Sequence, residues 1–153
     1  TAMVKAVKPK LSIKDRLAAS KAGKQQQLFL LTLFPHLCWA LFRGQHAAAE
    51  DWHAVQFRLK VGLLLAKLFE EGPDILCLES LSRLQNVDSR FYETGIWACT
   101  PEESAVVGEA LNLIDEMYAV VSTAQQYAAM VAVANEMNVL QEALQSQPHP
   151  RRK

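Results

Sequence analysis

The stretch that most constrains this chain is residues 100–146. It opens Thr100-Pro101-Glu102-Glu103 and then holds one glycine, Gly108, and no further proline. Thr100 can accept a hydrogen bond from a first-turn N–H, and Pro101 suits a position whose N–H is not needed. Glu103, three residues after the cap, completes a capping box. Apolar residues then recur three and four apart at Val106, Ala110, Leu113, Met117, Val120, Ala124, Tyr127, Val131 and Ala134, and a shifted row continues through Met137, Leu140 and Leu144. A second row at Val107, Ile114, Tyr118, Val121 and Ala128 widens the stripe to two flanks. As one helix this segment would span roughly 65 Å at 1.5 Å per residue. A domain of this length is only about 40 Å across. Either the helix breaks near Ser122-Thr123, or its far end packs on a second copy.

The preceding residues read as shorter helices. Ser12 and Asp15 open one that Gly23 stops. Residues 24–42 form the next, with a kink or restart at Phe34-Pro35 because proline removes a helix hydrogen bond. Within it, residues 28–42 are nearly uncharged. They fall short of the roughly 20 residues a membrane span needs, and Pro35-His36 interrupts them, so a buried core helix is expected and no membrane partner. Residues 47–71 form a third helix closed by Gly72-Pro73. Residues 55–61 alternate like a strand, but helix formers flank them on both sides. Asp74 caps a fourth helix through about Leu84, with Ile75, Leu78, Leu81 and Leu84 spaced for a core. Residues 85–99, carrying Asn86, Asp88, Ser89 and Gly95, read as a loop. The fold class is therefore all-α, an antiparallel helical bundle of four to six helices with a long C-terminal helix. A basic N-terminal arm (1–11) and a basic C-terminal tail (147–153) flank a single helical domain (12–146).

Charge is balanced overall but unevenly placed. Residues 25–145 hold six basic and fifteen acidic side chains, and the basic excess sits at the two ends. Lys5, Lys8, Lys10, Lys14, Arg16, Lys21 and Lys24 can neutralise phosphates, which makes nucleic acid a candidate partner. No helix-turn-helix spacing, aromatic interleaving or zinc module accompanies them. His46, Glu50 and His53 can share one helix face and are plausible ligands for zinc or iron. A di-iron bundle would need a second Glu-x-x-His, which the sequence lacks. His36 and Cys38, two apart, point in different directions and read as core. Glu102, Glu103, Glu109, Asp115 and Glu116 read as a solvated helix face rather than a magnesium site. Arg90, Phe91, Tyr92 and Trp97 have the side-chain types enriched at protein interfaces. The plainer alternative is that these aromatics cap the end of the bundle.

Cys38, Cys77 and Cys99 are odd in number and far apart, as expected of reduced thiols in a cytoplasmic protein. No phosphate-binding glycine loop or nucleophile elbow is present, and no cofactor is implied. The reading this favours is a non-catalytic protein–protein interaction module that self-associates as a dimer. A nucleic-acid-associated accessory protein and a metal-dependent helical enzyme are the alternatives.

Overall fold

The computed structural model describes residues 33–70 and 72–146. These form five helices: α1 (Phe34–Arg43), α2 (Ala49–Ala66), α3 (Pro73–Thr94), α4 (Pro101–Val120) and α5 (Thr123–Ser146). The helix expected at residues 12–23, the basic arm, residues 24–32 and the basic tail lie outside the described residues. Among the described residues there is no strand, and the protein is an all-α bundle. α2 is the shared element, packing against each of the other four helices, while α4 also touches α1 and α3.

The long C-terminal run is broken where the sequence allowed it. Val121 turns to an extended conformation at φ −80° and ψ 152°. Ser122 then starts α5: its Oγ accepts from Gln125 N at 3.2 Å, and Gln125 Oε1 accepts from Ser122 N at 2.9 Å. This Ser-x-x-Gln capping box satisfies donors that a helix start otherwise leaves bare. α4 begins with the same device, Thr100 Oγ1 accepting from Glu103 N at 3.2 Å and Glu103 Oε1 from Thr100 N at 2.9 Å.

The break resets the helical phase, so in α5 the buried row is not the one the unbroken stripe implies, while α4 buries members of both expected rows. Val107, Ala110, Leu111, Ile114, Met117 and Tyr118 face the core of α4, whereas Val120 is exposed. In α5 the buried positions are Gln125, Ala129 and Val133, and Val131 faces out.

Three other expectations are corrected. Residues 85–94 continue α3 instead of forming a loop, and Gly95, in the left-handed conformation at φ +72°, ends it by donating its N–H to Phe91 O. Tertiary contacts outweigh the weak helix preference of Asn86, Asp88 and Ser89. Trp52 Nε1 donates to Leu84 O at 2.9 Å, and Val87 is fully buried. The core face of α3 is accordingly Cys77, Ser80, Leu84 and Val87, while Ile75 and Leu78 are exposed. α2 stops at Ala66 rather than near residue 71, because Leu68 N and Phe69 N bond three residues back, to Leu65 O and Ala66 O, and tighten the chain. Pro35 sits in the first turn of α1, where its missing N–H is harmless.

The α2–α4 contact depends on Gly62. A Cβ there would lie 2.5 Å from Cγ1 and Cδ1 of the fully buried Ile114 and 3.3 Å from Cys77 Sγ. Gly108, on α4, has open space at the same position. The two glycines should therefore respond oppositely to alanine. Gly108→Ala is expected to raise the thermal midpoint, through about 0.5–1 kcal/mol of recovered helix preference. Gly62→Ala is expected to lower it, because overpacking costs about 1–3 kcal/mol. Thermal unfolding followed by circular dichroism checks both signs.

Candidate functional site

The aromatic segment at the end of α3 packs inward. Phe91 stacks on Trp97 with ring centroids 4.0 Å apart and planes 7° apart, and Trp97 also meets Phe42 and Trp52. Arg90 donates to both carboxylate oxygens of Glu103 and to Ala98 O at 3.3 Å. Of Arg90, Phe91, Tyr92 and Trp97, only Tyr92, at 83% exposure, stands in solvent. Three of the four close the end of the bundle.

Glu103 is buried, contrary to its expected place on a solvated face. Burial alone would push its carboxyl up. The Arg90 guanidinium and the hydrogen bonds from Thr100 outweigh that and hold it below the ordinary glutamate value. Asp115 is likewise engaged: its Oδ2 lies 2.7 Å from His36 Nε2 and its Oδ1 accepts from Arg58 Nη2 at 2.9 Å. Glu102 bridges to Arg83 at the surface, while Glu109 and Glu116 are exposed. So the acidic row on α4 divides into two structural carboxylates and a solvated remainder.

The Asp115 cluster is the most chemically distinctive part of the interior. Arg58 is 3% exposed and lies over the Tyr118 ring, Cζ to centroid 3.8 Å. Its Nε and Nη1 and the Tyr118 hydroxyl have no hydrogen-bond partner among the described residues. Burial pushes the Tyr118 hydroxyl up from its ordinary value, against the pull of the guanidinium. Beside these groups lies a cavity of about 170 Å³, lined chiefly by Phe34, Ala54, Phe57, Val61 and Met130 together with Arg58 and Tyr118. Sequence reasoning placed His36 in the core but missed this cluster. Its members lie on three helices, and Arg58, standing between Gln56 and Lys60, is not marked out by its neighbours in sequence.

His46, Glu50 and His53 are all exposed, and among the described residues no three His, Cys, Asp or Glu side chains are placed to hold a metal ion. His46 lies in the turn before α2, its N–H donating to Leu41 O, and the His53 ring meets Trp52 edge-on. Lys5, Lys8, Lys10, Lys14, Arg16, Lys21 and Lys24 lie outside the described residues. The three thiols are unpaired, with Cys38 and Cys77 buried. Burial, then the hydrogen bond and charge of Asp51, pushes Cys38 up to about 11, and burial with Asp74 does the same to Cys77. No described helix is long and apolar enough to cross a membrane.

The remaining feature is the far half of α5. The row Ala129, Val133, Met137, Leu140 and Leu144 keeps to one face at spacings of four, four, three and four. Ala129 and Val133 are buried and Met137 is packed against the core, but Leu140 is 50% and Leu144 66% exposed. Every side chain from residue 138 to 146 is exposed. Comparison with protein-family models, with curated proteins and with solved structures found no match.

The Glu103 cluster makes a signed prediction. A carboxyl held low in the folded state stabilises above the ordinary value, near pH 4.3, and that stability is lost as pH falls toward the folded value. Glu103→Gln should cost about 1–2 kcal/mol at pH 7, or about 2–8 °C in midpoint. The gap between wild type and variant should close as the solution is acidified below about pH 4. Paired thermal melts from pH 7 to pH 3 measure it.

Proposed function

We propose that this protein is a non-catalytic helical interaction module that self-associates through the distal half of α5. What supports the reading is the continuous row in which Val133 is covered by the bundle while Leu140 and Leu144, on the same face, run past it uncovered. An apolar face that continues an intramolecular contact is the kind of surface a partner helix completes.

A second copy suits it for three reasons. The face is self-complementary, so two α5 ends laid antiparallel bury one another's leucines by two-fold symmetry. Residues 91–150 contain no Lys or Arg, so this segment offers no cation to attract an acidic partner. Its nearest carboxylate beyond Met137, Glu142, falls on the opposite side of the helix at 100° per residue and does not oppose the contact. So small a patch fits a dimer with a dissociation constant on the order of micromolar rather than an obligate one. The three unpaired thiols suit a reducing compartment, and the cytoplasm is the proposed location.

Sedimentation equilibrium tests the proposal. Wild type should shift from monomer to dimer across roughly 1–100 µM, and Leu140→Asp/Leu144→Asp should remain monomeric with an unchanged thermal midpoint. A wild type that stays monomeric over that range, or a double variant that dimerises equally well, contradicts it.

A further inference from the structure

We infer that the outward face of α1, together with the basic segment that precedes it, docks on a bilayer surface rich in anionic lipid headgroups. α1 is expected from sequence to be a buried core helix, and it is buried on one side only. Pro35, Cys38, Trp39 and Phe42 face the bundle. Leu33, Leu37, Ala40 and Leu41 share the other side, within about 100° of arc. The three leucines are 47, 48 and 39% exposed, and Phe34 at the edge of the arc is exposed as well. A helix that is apolar on every side is ordinarily covered on every side, so this ridge calls for an apolar medium.

Charge decides what covers it. α1 holds no acidic residue, and Arg43 stands exposed in its last turn. Residues 25–42 contain no Lys, Arg, Asp or Glu, and residues 1–24 carry seven basic side chains against Asp15 alone. Lys24 is nine residues from Leu33, a tether of about 30 Å at full extension, so the charge is held within reach of the ridge. A small apolar anchor alone holds a protein to a bilayer only marginally, and an adjoining basic segment is the second signal that makes the hold stable. A second copy fits this face poorly, because two-fold contact brings two basic segments together. Nucleic acid satisfies the cations and leaves the leucines bare. A partner helix needs a groove to lie in, whereas a lipid interface accepts the outward arc of a single helix as it stands. The shortness of residues 28–42 argues against a span and does not oppose a helix lying in the surface.

Flotation of the full chain with vesicles is the test, using phosphatidylcholine alone and phosphatidylcholine with roughly one-third phosphatidylserine. The mixed vesicles should bind at least ~10-fold tighter than the neutral ones, and about 0.5 M salt should remove most of that difference. Leu37→Gln/Leu41→Gln, which adds no charge, should weaken binding to the mixed vesicles at least ~10-fold with an unchanged thermal midpoint. Leu37→Ala/Leu41→Ala takes its place if that variant does not fold. Lys5→Gln/Lys8→Gln/Lys10→Gln/Lys14→Gln should weaken binding to the mixed vesicles and leave the neutral ones unaffected. Equal binding to both vesicles, no binding to either, or full binding by the leucine variant overturns the inference. Duplex DNA bound more tightly than the mixed vesicles, and equally well by the leucine variant, also overturns it and assigns the cations to nucleic acid.

Discussion

The closeness of α2 and α4 at Gly62 and Ile114 is the constraint on which the other packing rests. With no side chain at residue 62, Ile114 occupies the space a Cβ would fill, and Cys77 of α3 closes the same contact from the other side. Three helices thereby meet at one point. α2 is left with enough remaining surface to receive α1 and the first half of α5. The price is a helix that is buried on several sides, and Arg58 is where that burial meets a charge.

That charge explains the arrangement around it. A lone buried guanidinium is expensive, and Asp115 on α4 and the face of Tyr118 offset it. His36 on α1 takes the other oxygen of Asp115, so one carboxylate ties three helices together. Arg90 and Glu103 play the corresponding part at the opposite end of α4, joining α3 to the capping box that starts it. The polar groups inside the bundle thus set which helices are neighbours, while the apolar ones supply most of the driving force.

The sequence was most legible where one local rule decided the outcome. Thr100-Pro101-Glu102-Glu103 marks the start of α4 and Ser122 marks the break, whereas α3 starts at Pro73 with Gly72 as its cap and not at the expected cap Asp74. It was least legible where tertiary contact overrode local preference. Asn86, Asp88 and Ser89 argued for a loop, yet Leu84, Val87 and Arg90 hold α3 in place from the other side. Ile75 and Leu78 were assigned to the core because a three-residue spacing fits a helix from either flank. Only the position of Cys77 against α2 shows which flank is inward. The Asp115 cluster could not be read from spacing at all, since His36, Arg58 and Asp115 come from three separate helices.

The proposed self-association depends on the end of α5. A helix end with no covering partner opens readily and exchanges its amide hydrogens quickly. Hydrogen exchange of residues 135–146, measured at protein concentrations from about 1 to 100 µM, addresses this most directly. Protection that rises with concentration in this segment, while the amides of α2 stay constant, is the result predicted for an end that a second copy covers. Exchange in residues 135–146 that is the same at every concentration would contradict it.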